Sequence, residues 1–250
     1  MGSPQTNKRI QVITIDGPAG AGKSTVAKRL AQLLNISYLD TGAMYRALTL
    51  KALRKKIRLD DEKALVDLAR QTIIDLENQS SGVKVVLDGE DVSQEIRSLE
   101  VTNNTFYIAR TAGVRAIMVG WQRAIAGKRG VVADGRDVGT VVFPQADSKF
   151  YLDADLEERA KRRLRELKEK GQEVDPLVLK TEMSERDQRD FTRSVSPLKK
   201  APDAILIDST YLSVDEFLRT KDYPFCPALD DVKYPQRYEA FVIPEKLYQD

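Results

Sequence analysis

Gly17-Pro18-Ala19-Gly20-Ala21-Gly22-Lys23-Ser24 matches G-x-x-x-x-G-K-[ST] at every fixed position, and its reading decides the fold. Ahead of it, Ile10-Gln11-Val12-Ile13-Thr14-Ile15 is an apolar, β-branched run ending in Asp16-Gly17, which reads as a buried strand. Behind it, Val26, Ala27, Leu30, Leu33 and Leu34 recur at helical spacing, and Asn35 supplies a helix stop. A strand, a glycine-rich turn and a helix in that order leave bare backbone N–H groups and a helix N-terminus facing phosphate oxygens. Lys23 then reaches the β- and γ-phosphates, and the Ser24 hydroxyl ligates magnesium. The pattern implies a nucleoside triphosphate, cradled by the loop from Gly17 to Thr25.

With 250 residues and a formal charge of +2, the chain has room for one large domain or two small ones, and no basic surplus to grip nucleic acid. Histidine is absent, which removes the commonest general base and metal ligand. Transfer of a phosphoryl group onto another phosphate suits such a chain. A phosphomonoester has its second pKa near ~6, so the accepting oxygen is already largely ionised at neutral pH. What remains is to position two anions and neutralise their charge. The one cysteine, Cys226, excludes an intrachain disulfide and fits a reducing compartment. No apolar run approaches the roughly 20 residues needed to span a bilayer, and no signal peptide is visible. The expectation is a cytoplasmic protein with no membrane partner.

Further along, Ile36-Ser37-Tyr38-Leu39 reads as a second strand ending at Asp40-Thr41-Gly42, followed by a helix with Met44, Leu48 and Ala52 as its buried stripe. Tyr45 and Arg46 fall just past that strand end, where open α/β sheets bind ligands, although Arg46 reads equally as a solvated charge. Glu62 to Gln71 is an amphipathic segment, Val83 to Leu87 a strand with a tight turn at Asp88-Gly89, and Asp91 to Arg97 returns toward helix. Arg110 and Arg115 share the next helical stretch with Ile117, Trp121 and Ile125. Residues from roughly 41 to 128 therefore read as helices plus a small sheet, inserted between core strands.

Val131-Val132-Ala133 runs into Asp134-Gly135-Arg136-Asp137. A strand end beside the phosphate loop is where a carboxylate holds magnesium-bound water and an arginine meets phosphate, though a charged surface turn has the same composition. Ser148 to Leu152 is a fourth strand, and Asp155 with Glu158 makes a capping pair for a helix ending near Gly171. Its Arg159, Arg162, Arg163 and Arg165 read either as a solvated face laced by pairs such as Glu158–Arg162 or as a lid closing over the triphosphate. Arg186, Asp190 and Arg193 at i, i+4, i+7 share one helix face, as a surface ion pair or as a device orienting two arginines toward an anion and a ribose. Ala204 to Asp208 is a fifth strand and Val214 to Leu218 begins a last helix. After Lys221 the proline- and tyrosine-rich composition suggests an extended tail.

Taken with Asp40-Thr41-Gly42-Ala43-Met44-Tyr45-Arg46, Asp88 to Arg97, Ala133 to Pro144 and Glu185-Arg186-Asp187-Gln188-Arg189-Asp190, residues 9 to 218 resemble a bacterial cytidylate (CMP) kinase. The resemblance implies an α/β, three-layer P-loop kinase fold: a five-stranded parallel sheet flanked by helices, with an inserted monophosphate-binding subdomain and a short helical lid. The core would comprise 9–40 and 129–220 with the lid at about 154–172, the CMP-binding insertion 41–128, and the extension 221–250. It implies ATP bound by Gly17, Pro18, Ala19, Gly20, Ala21, Gly22, Lys23, Ser24 and Thr25, with Mg2+ on Ser24 and its waters anchored by Asp134. Arg46, Arg136 and Arg193 would hold the acceptor phosphate, Arg115 and Asp137 the cytosine edge, and Arg186 and Asp190 the sugar, with Thr41, Tyr45 and Asp134 also in the CMP site. Lys23, Arg136, Arg193 and the lid arginines Arg159 and Arg162 would stabilise the transferring group. The implied reaction takes ATP and CMP or dCMP to ADP and CDP or dCDP, in a monomer. One position departs from the pattern. Phe106 stands where many relatives carry a serine that hydrogen-bonds the base, and a ring can only stack on or wall the pyrimidine.

Overall fold

Ile13, Thr14 and Ile15 on β1 (Val12–Asp16) are all without exposed surface, as a strand covered on both faces requires. The structure, a computed structural model, describes residues 11–79, 82–127, 130–169 and 171–219. The tail after Lys221, with Cys226, lies outside the described residues. β1 is the middle of a five-stranded, wholly parallel sheet whose other strands are β2 (Ser37–Asp40), β6 (Val131–Gly135), β7 (Ser148–Asp153) and β8 (Ile205–Asp208). Their order is β2-β6-β1-β7-β8. Side chains on β6 alternate between two buried layers. Val131 and Ala133 join the cluster of Met44, Leu48 and Met118, while Val132 joins that of Ile13, Leu30, Phe150 and Phe217.

Helix α1 (Lys23–Leu34) leaves the phosphate loop behind β1 and stops where expected, with Asn35 in the left-handed region at φ 52° closing the last turn. The loop itself demands glycine at its first position. Gly17 has φ 145°, and a Cβ there would lie 1.9 Å from the Leu152 carbonyl oxygen on β7.

Between β2 and β6 come α2 (Thr41–Arg54), α3 (Glu62–Arg70), an antiparallel sheet of β3 (Ile74–Gln79), β4 (Gly82–Leu87) and β5 (Glu90–Asp91), then α4 (Leu99–Arg110) and α5 (Ala112–Ala126). Asp40, Asp61 and Ser98 cap α2, α3 and α4 through their side chains. After β7 follow α6 (Leu156–Glu169), α7 (Pro176–Thr192) and, after β8, α8 (Val214–Arg219).

Several local expectations need correcting. The return toward helix expected from Asp91 begins only at the 3-10 turn Glu95–Arg97, because Asp91 with Glu90 forms β5, pairing with Val86 and Leu87 across the Asp88-Gly89 turn. β3 was not expected. Its alternation is confined to Ile74 and Leu76 before the polar Asn78-Gln79, too short a run to mark a strand, and its register comes from pairing with β4. Arg110 and Arg115 lie on two helices rather than one, divided at Thr111. Arg193 lies one residue past the end of α7, with φ −58° and ψ 137° outside the helical region, so the i, i+4, i+7 face stops at Asp190. Asp155 caps α6 by accepting from Glu157 N (2.7 Å) and Glu158 N, yet Glu158 pairs with Arg162 and Arg165 instead of completing the capping box.

Candidate active site

Chain order reverses between β1 and β6, and the C-terminal ends of these two strands open the crevice that such a reversal creates. On the β1 side, α1 begins directly after Gly22, so the loop presents the first amides of a helix to the crevice. Lys23 is buried and donates to the loop's own Pro18 carbonyl at 2.6 Å. The Ser24 hydroxyl donates to Asp134 Oδ2 at 2.7 Å, joining the loop to the end of β6. Thr25 lines a cavity of about 220 Å³ with Ala21, Gly22, Arg162, Ser209 and Leu212.

Cations converge here. Burial pushes the Lys23 ammonium down to about 7, and the nearby Arg136 and Arg186 guanidiniums add to the effect against the pull of Asp134. Burial likewise brings Arg186 down to about 10, with Arg136 and Arg46 close enough to contribute. Arg136 bonds Asp190 through Nε at 2.8 Å. Burial alone would raise the Asp190 carboxyl, but Arg136 and Arg186 outweigh it and hold it below the usual carboxylate range. Arg46 pairs with Asp40 at 3.1 Å while its Nε is buried without a partner. Arg186 makes no hydrogen bond or close ion pair among the described residues. The structure thus brings Lys23, Arg46, Arg136, Arg186 and Asp190 to one place from four different elements.

A second cluster adjoins it. Asp137 binds Arg115 from α5 and, at 3.4 Å, Arg193 from beyond α7, and all three are buried. The Arg115 guanidinium lies 5.5 Å from the centre of the Tyr45 ring, whose hydroxyl is buried with no partner. Burial raises the Tyr45 phenol to about 12. Thr41 is committed elsewhere, its hydroxyl donating to the Asp134 carbonyl at 2.7 Å.

The arginines of α6 are not free. Arg159 is buried, donating through Nε to Ala154 O and through Nη1 to Ala19 O and Asp187. Arg162 donates to the carbonyls of Ser209 (2.6 Å) and Thr210 (2.9 Å) and forms one wall of the cavity at Thr25. Phe106 is half-buried, edge-on to Tyr107, with Arg110 at 5.4 Å and Arg189 of α7 at 5.7 Å from its ring centre.

Four carboxylate or phenol contacts escaped sequence reasoning. Asp16 at the end of β1 accepts from Val138 N (2.8 Å) and Gly139 N (2.7 Å), fixing the π-helical turn Val138–Val142 directly after Asp137. Burial raises its carboxyl to about 6. Tyr38 on β2 donates to Asp134 Oδ1 at 2.8 Å. Asp40 both caps α2 and holds Arg46. Asp187 joins the phosphate loop to Arg159. Only Asp40 had a sequence signal, since an aspartate before Thr-Gly at a strand end is a ready N-cap.

A family model described as cytidylate kinase matches residues 13–220. The chain is 56% identical over 211 residues to a cytidylate kinase of Desulforamulus reducens, covering 83% of this chain and 93% of that one. To cytidylate kinases of a Geobacillus species and of Caldanaerobacter subterraneus it is 54% and 53% identical over 204 residues each, 82% of this chain and 91% and 89% of theirs.

Proposed function

The chain belongs to the cytidylate kinase family, and we propose that it transfers the γ-phosphoryl group of ATP to CMP or dCMP, giving ADP and CDP or dCDP. One observation carries the reading of the site. Arg186 has no anionic partner of its own within ion-pair distance and stands among Lys23, Arg136 and Arg46, a concentration of positive charge that a highly charged anion would relieve.

In this reading the loop from Gly17 to Thr25 and Lys23 hold the donor. Arg46, Arg136 and Arg193 hold the acceptor phosphate. Arg186 lies between the two, where charge spreads over the equatorial oxygens of the transferred group, and with Asp190 it reaches the acceptor's sugar. Arg115 and Asp137 read the base: a carboxylate accepts from the exocyclic amine of cytosine and repels the carbonyl that uracil carries instead. The cavity at Thr25 and Arg162 suits the donor's nucleobase, and Arg159 acts by fixing the loop. No proton-shuttling side chain is required, because the accepting oxygen is already ionised. Residues 41–128 form the acceptor-binding insertion in the same proposal.

Magnesium fits the donor set. Among the described residues no group of three acidic, histidine or cysteine side chains could cage an ion. A lone hydroxyl backed by a buried carboxylate suits an ion that keeps phosphate and water oxygens as its other ligands. Ser24 with Asp134 behind it would hold it, and the ion would supply neutralising charge to the triphosphate. Among the described residues no helix is long and apolar enough to cross a membrane. A cytoplasmic location, supported by the single cysteine, and a monomeric state are parts of the proposal.

Initial rates with ATP against CMP, dCMP, UMP and shikimate test the assignment. CMP is expected to exceed UMP in kcat/KM by at least about a hundredfold, because uracil leaves the Asp137 carboxylate facing a carbonyl in place of the amine it bonds. Equal rates with UMP would remove Asp137 from base reading, and ATP binding without ADP release would make the chain a nucleotide binder.

A second expectation concerns protons. With its pKa near 7, free Lys23 is largely neutral at pH 8, and a polyphosphate beside it restores the charge. ATP binding at pH 8 should therefore take up about one proton, and at pH 6 almost none. Calorimetry in buffers of different ionisation enthalpy measures this directly. Uptake that does not vary between the two values would place the Lys23 titration elsewhere.

A further inference from the structure

We infer that Asp187 is a positioning residue through which helix α7 sets the conformation of the phosphate loop, coupling the donor site energetically to the acceptor site. The inference rests on the reading of the loop as the ATP site. Ala19, at the crest of that loop, is held at both of its backbone polar groups. Its N–H donates to Asp187 Oδ1 at 3.3 Å, and its carbonyl accepts from Arg159 Nη1 at 3.0 Å. The same Arg159 Nη1 meets Asp187 Oδ2, which closes a three-way junction of loop, α6 and α7. Both side chains are more than nine-tenths buried, at 8% and 9% exposure, so solvent does not stand in for either partner.

Packing makes the junction stiff. Gly20, at φ 80°, lies against the same two helices. A Cβ there would come within 3.1 Å of both Arg159 Cβ and Met183 Cε, and Met183 is one turn before Asp187 on α7. On its other flank the loop is tied at Ala21, whose carbonyl accepts from the Ser209 hydroxyl at 2.9 Å. The crest is thus fixed to α6 and α7 while Ala21, two residues on, is fixed to the turn after β8.

The position of Asp187 in α7 gives the junction its consequence. Arg186 precedes it and Asp190 lies three residues on, and both face the cation cluster where the two nucleotides meet. A rigid helix that adjusts when Arg186 and Asp190 engage an acceptor carries Asp187 with it, and Asp187 moves Ala19. The aspartate is the only group among the described residues that bonds a phosphate-loop N–H from α7. Its effect on chemistry therefore runs through Ala19 and not through contact with substrate.

Asp187→Asn in the full chain is the test. Asparagine keeps the volume, but its amide cannot accept from both Ala19 N–H and Arg159 without turning a donor toward one of them. A non-hydrolysable ATP analogue should bind about tenfold more weakly, while CMP alone binds within about twofold of wild type. The factor by which CMP changes the analogue's affinity in wild type should fall to within about twofold of one. Arg159→Lys should reproduce the loss of analogue affinity, and the double variant should be no worse than the poorer single one, as for partners in one junction. Unchanged analogue affinity in Asp187→Asn overturns the inference. So does a wild-type affinity indifferent to CMP, and so does an equal loss for both nucleotides with a lowered Tm, the pattern of a purely structural residue. Failure of the functional reading looks different: wild-type protein then binds the analogue yet releases no ADP with CMP, and the analogue's affinity for Asp187→Asn still decides the role of this residue.

Discussion

Arg136→Ala is expected to lower kcat by roughly 10²–10³-fold, the loss that follows removal of one preorganised donor at developing charge. Arg136 stands at the end of β6, bonded to Asp190, and it is near enough to Lys23 to depress the proton affinity of that ammonium. Its removal leaves Asp190 with Arg186 still beside it, so the carboxylate is not stranded. It also relieves crowding among like charges, and Tm should stay within a few degrees of wild type. A second readout separates this role from general damage. With Arg136 gone the Lys23 pKa rises, more of the ammonium is charged before ATP arrives, and proton uptake at pH 8 shrinks. Steady-state rates, a melting curve and the calorimetry described above check all three. Near-normal turnover in this variant would remove Arg136 from the site.

Asp137→Ala should act mainly on the fold. Asp137 is the shared anion of Arg115 and Arg193, and each of the three is buried. Removing it leaves two guanidiniums facing one another away from water. Breaking a buried pair from one side costs about 3–5 kcal/mol. At the size of the described region that is roughly a 10 °C fall in Tm. Asp137→Asn keeps the shape and one acceptor, so it should fall less far while still raising KM for CMP at least about tenfold through loss of base reading. Thermal melts of both variants, with CMP kinetics on the asparagine variant, give the comparison. Equal stability for alanine and wild type would show that Arg115 and Arg193 find other partners.

How much of this was legible in the sequence depended on how far apart the partners lie. The phosphate loop is legible because its chemistry dictates residue types at consecutive positions, and the Asn35 stop because a helix end is local. The arginines Arg46, Arg136 and Arg186 could be nominated from their places beside strand ends and on one helix face. Nothing local, however, distinguishes a guanidinium spent on backbone carbonyls, as Arg159 is, from one left open, as Arg186 is. Asp16, Tyr38 and Asp187 were missed for a related reason. Their partners Gly139, Asp134 and Ala19 are 123, 96 and 168 residues away, so only the folded sheet brings them together. β3 escaped because only Ile74 and Leu76 alternate with polar residues before the strand turns wholly polar, too short a signal to read. The turn at Val138–Val142 escaped because its shape is imposed by the Asp16 carboxylate from another strand.

The phenol of Tyr38 has a consequence for the metal side of the crevice. Burial and then the neighbouring Asp134 and Asp40 carboxylates drive its ionisation far above the ordinary tyrosine range. It stays a donor to Asp134 across every pH at which the sheet survives. In an alkaline absorbance titration this tyrosine should remain silent until the protein denatures, so the donor behind Ser24 persists while the charge on Lys23, which Asp134 also feels, changes.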